Sequence, residues 1–235
     1  MLFWICVGLS ALAACILVFY VYEKCKAYSV KSVLIKFIVS SLFIAVALLA
    51  AYQNKGQVIN PFIIFGLLLG LSGDIWLDLK YVHKEYDKIY SYAGFIVFGI
   101  GHIFFITGMY LQFFNGNNVL YIILPIIGGV VISIINQLLA IPLKINFGDM
   151  KMISIAYSVT LFSLPLCALS LCILTAWSSM TLIMLFIGGL LFAISDIVLS
   201  QTYFKEGHET PTDFIFNYLF YYGAQFIIAF SIFFL

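Results

Sequence analysis

The sequence predicts an all-α membrane protein of eight transmembrane helices, with a possible parallel four-plus-four repeat. Three observations carry that prediction. Of 235 residues, 64% are hydrophobic and only 9% charged; mean hydropathy is +1.15; and the apolar residues fall into eight runs, each long enough to cross a bilayer. Soluble domains carry about 25% charged residues, so a folded chain of this composition must turn most of its surface to lipid. A single integral membrane domain over 1–235 is expected, because no segment is long or polar enough for a separate soluble unit.

Taking about 20 mostly apolar residues as one span, the runs are 2–22, 33–52, 61–79, 92–113, 119–140, 152–173, 179–203 and 213–235. The first contains Ala11-Leu12-Ala13, which mimics a signal-peptidase site. Residues 1–10 hold no basic residue, however, and the apolar run continues to Tyr22, so the segment reads as a helix. The second and third are divided by Gln53 to Asn60 ahead of Pro61, and the fourth and fifth by the turn Asn115-Gly116-Asn117-Asn118. The seventh and eighth are divided by Lys205 to Asp213 around Pro211. Cys6, Cys15, Cys167 and Cys172 lie in apolar spans and Cys25 in a loop, without metal or redox spacing, so all five read as packing residues.

Orientation follows from lysine, since the chain has no arginine. Lys24, Lys26 and Lys31 fall between helices 1 and 2, Lys80, Lys84 and Lys88 between 3 and 4, Lys144 and Lys151 between 5 and 6, and Lys205 between 7 and 8. On the opposite side only Lys55 lies in a loop. The positive-inside rule then makes the odd-numbered loops cytoplasmic and puts both termini outside. Net charge is +1 with no basic tract, which argues against a nucleic-acid partner.

Two segments break the apolar pattern in the same way. Residues 66–77 read GLLLGLSGDIWL and residues 188–199 read GGLLFAISDIVL, each an apolar run whose one charged residue is an aspartate. A carboxylate in hydrocarbon is costly and marks a functional site by default. Asp74 and Asp196 are 122 positions apart, and the same offset aligns Gly66 with Gly188, Ile75 with Ile197, Gly101 with Gly223 and Phe104 with Phe226. A four-helix unit repeated once would give parallel repeats about an axis along the membrane normal.

Helix direction brings the unusual residues to one depth. Asp74 and Asp196 fall near the cytoplasmic ends of inward-running helices 3 and 7. Lys36, His102, Tyr157, Asn217, Tyr221, Tyr222 and Gln225 come early in the outward-running helices. One polar pocket in the cytoplasmic half of the bundle would hold them all. Gly66, Gly70 and Asp74 follow at four-residue steps, forming a small-residue groove that leads to the carboxylate, and Asn217, Tyr221 and Gln225 form a polar stripe that should face inward. Plainer roles exist for each: Lys36 snorkelling to the interface, His102 as a hydrogen-bonded core histidine, the tyrosines as packing or an aromatic belt, and the aspartates as structural ion pairs with Lys36. Asp78, His83, Glu85, Asp87, His208 and Glu209 read as solvated loop or helix-end groups.

The segments GLLLGLSGDIWL, GIGHIFF around His102, GGLLFAISDIVL and YYGAQFIIAFS from Tyr221 resemble the successive signature blocks of the YhhN family of eight-helix membrane proteins, whose characterised members include lysoplasmalogenase. The resemblance runs from Lys36 to Gln225; the family's helix-2 lysine is usually followed by proline, where this chain has Phe37. It implies hydrolysis of the vinyl ether bond of a lysoplasmalogen, yielding a fatty aldehyde and a glycerophospho-ethanolamine or -choline. That chemistry wants one acid to protonate the alkene carbon and one base to take a proton from water, and two carboxylates sharing a proton in an apolar pocket suit it. Asp74 and Asp196 are thus the expected catalytic pair, with Lys36, His102, Tyr157, Tyr221 and Gln225 binding substrate or supporting it. No metal or other cofactor is called for. The expected partners are a lysophospholipid substrate and membrane lipids, the expected location a cell membrane, and the oligomeric state is not specified. A proton-coupled transporter and a non-catalytic lipid-binding protein are the competing classes, since both also use intramembrane carboxylates.

Overall fold

The computed structural model describes residues 1–26, 28–116, 118–205 and 210–235. Among them are eight helices long and apolar enough to cross a membrane: α1 (Leu2–Lys26), α2 (Val30–Gln53), α3 (Ile59–Val82), α4 (Asp87–Phe113), α5 (Leu120–Ala140), α6 (Lys151–Leu174), α7 (Met180–Phe204) and α8 (Pro211–Ser231). At 1.5 Å per residue, a 24-residue helix such as α2 rises about 36 Å, enough to cross the ~30 Å hydrocarbon core. Local chemistry sets several starts. Ser29 and Ser32 form a capping box at α2, Thr210 and Asp213 form another at α8 with Pro211 in its first turn, and the Ser179 hydroxyl caps α7.

Six helices close a ring. α2 packs on α3, α3 on α4, α4 on α6, α6 on α7, α7 on α8, and α8 back on α2. α1 lies outside the ring against α2, and α5 lies outside it against α6. These outer helices bury only one narrow seam each: Cys6, Ala13, Tyr20 and Lys24 on α1, and Pro125, Gly129, Ser133 and Ala140 on α5. The small residues on α5 let it approach closely, for a side chain at Gly129 would strike Ser163 of α6.

The packing repeats with a four-helix offset. The α3–α4 and α7–α8 pairs have the most extensive contacts in the bundle, and α4 on α6 corresponds to α8 on α2. Gly66 and Gly188, aligned in sequence, do the same work in their pairs: a side chain at Gly66 would overlap the Phe105 ring, and one at Gly188 would meet Ile228. Both glycines let the partner helix close in.

The helices continue past the hydropathic spans at one end of the bundle. α1 extends to Lys26 rather than Tyr22, so Cys25 is an exposed helical residue, not a loop residue; α3 extends to Val82 rather than Leu79. Hydropathy falls at a charged residue, but the helix need not stop there when the charge is paired inside the protein.

Candidate active site

The six ring helices all contribute to the wall of one narrow central cavity. Its wall comprises Lys36 of α2, Asp74 and Leu77 of α3, Phe95 and Phe98 of α4, Tyr157 of α6, Ser195, Asp196, Leu199 and Tyr203 of α7, and Asn217, Tyr218 and Tyr221 of α8. Helical spacing explains the convergence. Ser32, Lys36 and Ser40 share the inner stripe of α2, and Asn217, Tyr221 and Gln225 that of α8; all six are buried.

Asp74, on α3, is held from two other helices, α2 and α8. Its Oδ1 lies 3.2 Å from Lys36 Nζ, and its Oδ2 accepts hydrogen bonds from the Ser40 hydroxyl at 2.6 Å and the Tyr221 hydroxyl at 2.8 Å. Gln225 Nε2 donates in turn to the Tyr221 oxygen at 2.9 Å. Gly70 makes room for this chain, because a Cβ there would stand 2.7 Å from Gln225 Nε2.

Asp196 has a simpler setting. Its Oδ2 accepts from the Tyr157 hydroxyl, and no ion pair reaches it among the described residues. Asn217 steadies the neighbouring turn of α7 by donating to the Ser195 carbonyl at 2.9 Å and hydroxyl at 3.0 Å. His102 stacks on Tyr157 with centroids 5.5 Å apart and meets the edge of Phe192 at 4.7 Å. It is 1% exposed, yet neither ring nitrogen has a hydrogen-bond partner among the described residues. The hydrogen-bonded core histidine considered for this position is therefore not what the structure contains.

A second narrow cavity lies between α5, α6 and α7 and extends to Phe147 in the connection between α5 and α6. Phe95, Tyr157, Asp196, Leu199 and Tyr203 line both spaces, so Asp196 and Tyr157 belong to the wall that separates them.

Residues 31–232 match the model of the YhhN family. The chain belongs to the YhhN family. The matched region includes Lys36, Asp74, His102, Tyr157, Asp196, Tyr221 and Gln225. Comparisons with characterised proteins and with solved structures return no match.

This YhhN chain gathers Lys36, Asp74, Tyr157, Asp196 and Tyr221 at the central cavity, with Gln225 behind Tyr221 and His102 behind Tyr157. Lys36 does not snorkel; it is 5% exposed and bridges Asp74 and Asp78. Tyr157, Tyr221 and Tyr222 are buried inside rather than set in a belt.

Asp78 requires correction. It is not solvated but 4% exposed, 2.9 Å from Lys24 and 3.4 Å from Lys36, and it accepts the Tyr20 hydroxyl at 2.6 Å. Lys24 is likewise not a loop residue: it is buried within α1 and also donates to the Tyr218 hydroxyl at 2.5 Å. The sequence did contain a signal, since Gly66, Gly70, Asp74 and Asp78 continue one four-residue series and all four are buried. His83 and Glu85, between α3 and α4, and Asp87, the first residue of α4, are exposed, as expected; His208 and Glu209 lie outside the described residues.

Proposed function

We propose that this protein is a lysoplasmalogenase-like hydrolase that adds water across the vinyl ether bond of a lysoplasmalogen, releasing a fatty aldehyde and a glycerophospho-ethanolamine or -choline. The observation that carries the proposal is the convergence of Asp74 and Asp196, from α3 and α7, on one interior cavity of a YhhN-family chain. Vinyl ether hydrolysis starts with a proton delivered to the alkene carbon remote from oxygen. The resulting oxocarbenium ion takes up water, and the hemiacetal collapses to aldehyde and alcohol. Two carboxyl groups flanking such a cation divide the work as in glycoside hydrolysis, one giving the proton and the other accepting one from water.

The surroundings support this chemistry. Walls of Phe95, Phe98, Leu77 and Leu199 keep bulk water away, which strengthens every electrostatic interaction within. Lys36, engaged by two carboxylates, fits a role in holding Asp74 better than one in binding a lipid phosphate. Under the positive-inside orientation, the site occupies the cytoplasmic half of a cell membrane.

The test is incubation of the purified protein with a panel of alkenyl, alkyl and acyl lysolipids, with direct detection of aldehyde. Aldehyde from the alkenyl substrates alone is the expected result. Fatty acid release alone would make the protein an esterase instead.

A further inference from the structure

Asp74 and Asp196 face one cavity in unequal electrostatic settings. Lys24, Lys36, Asp74 and Asp78 form one connected cluster, with Lys24 2.9 Å from Asp78 and Lys36 3.2 Å from Asp74 and 3.4 Å from Asp78. Two ammonium groups against two carboxylates leave this cluster neutral, and each member is no more than 5% exposed. Charges so deep in apolar surroundings persist only when paired and hydrogen-bonded, and here every one is.

Asp196 stands outside the cluster. The titratable groups around it are Tyr157 on α6 and Tyr203 on its own helix, with Lys36, Asp74, Tyr218 and Tyr221 elsewhere on the cavity wall and His102 behind Tyr157. Tyr157 donates to Oδ2, and Oδ1 has no hydrogen-bond partner among the described residues. Asp196 is only partly buried, and among the described residues no ammonium group pairs with it, so an anion there would rely on the cavity's own contents for compensation, whereas a neutral carboxyl accepts from Tyr157 through one oxygen and keeps a proton on the other.

We propose that Asp196 is the general acid and Asp74 the base, and that Lys24 and Asp78 are positioning residues which complete the neutral cluster and so fix that division. The assignment rests on the hydrolase reading for its chemistry, but not for its test. Asp196 transfers its proton to the alkene carbon and becomes the carboxylate facing the oxocarbenium ion. Asp74 takes a proton from water as the oxygen bonds to the cationic carbon. In the collapse, the hemiacetal hydroxyl returns a proton to Asp196, Asp74 gives its proton to the departing glycerol oxygen, and the carbon–oxygen bond breaks. One water is consumed, and both carboxyl groups return to their starting states.

The infrared carbonyl stretch of protonated carboxyl groups, recorded at pH 7 on the purified full chain, reads this out without turnover. Carboxyl groups in water are ionised at that pH and do not contribute. The wild-type chain should show one protonated carboxyl, and Asp196→Asn none. Lys24→Met, which leaves the cluster one positive charge short, should double the band, and Lys24→Met with Asp78→Asn should restore the single band. A merely structural Lys24–Asp78 pair would leave the band unchanged in Lys24→Met, and that result overturns the positioning role. Persistence of the band in Asp196→Asn, or its absence from the wild-type chain, overturns the acid assignment, the second without any variant having to fold. A single band assigned to Asp196 in a chain that releases no aldehyde from any lysolipid sinks the hydrolase reading and leaves the charge assignment standing.

Discussion

Lys36 bridges Asp74 and Asp78, 3.2 Å from the first and 3.4 Å from the second, in the interior of a helix bundle whose two carboxylates lie one turn apart on α3. Through it the central cavity is tied to Lys24 on α1, a helix outside the ring.

That link predicts strong coupling between Lys24 and Asp78. Removing one member of a buried ion pair strands the other and costs about 3–5 kcal/mol, whereas removing both with apolar replacements is far milder. Lys24→Met and Asp78→Leu should each lower stability by about that amount, and the double variant should lose much less than their sum. Denaturant unfolding in detergent micelles checks it; additive losses would mean that the two groups do not depend on each other.

Gly70 provides a steric test of the hydrogen-bond chain on Asp74. Gly70→Val places atoms where Gln225 Nε2 now sits and should displace Gln225 and Tyr221, costing about 1–3 kcal/mol of stability through overpacking. Turnover should fall along with it, by tenfold or more on the order of one lost charge-assisted hydrogen bond to Asp74. Activity equal to wild type would show that the Gln225–Tyr221 chain does not serve Asp74.

Leu199 lines both cavities, so Leu199→Trp should fill the space beside Asp196 on both sides while leaving the cluster around Lys36 intact. We expect aldehyde release from long-chain lysoplasmalogen to drop severely, with the variant still inserted and folded as judged by size-exclusion chromatography and unfolding. Unchanged kinetics would show that the substrate does not use the space beside Leu199.

Much of this arrangement was legible in the chain, for a physical reason. Asp74 and Asp196 interrupt long apolar runs, and hydrocarbon penalises a carboxylate so heavily that each flags an interior site. Helix direction, inferred from loop lysines, then brought Lys36, Tyr157 and Tyr221 to the same level. Asp78 and Lys24 escaped because they sit where hydropathy declines, and a charge at a helix end usually meets water; only the tertiary contact between α1 and α3 makes them internal. The ring closure was equally unreadable. Connectivity suggests α4 beside α5, but the structure has α4 against α6 and sets α5 outside. His102 stands out in the chain, but that neither ring nitrogen has a hydrogen-bond partner among the described residues depends on Phe192 and Tyr157 converging on it from other helices.

The most direct test of the central claim is aldehyde release from a lysoplasmalogen by wild type, Asp74→Asn and Asp196→Asn, each purified and shown to be folded. General acid–base groups typically contribute about 10²–10⁴-fold, so each substitution should reduce turnover at least a hundredfold below the wild-type rate. Near-wild-type turnover in either variant would contradict the account.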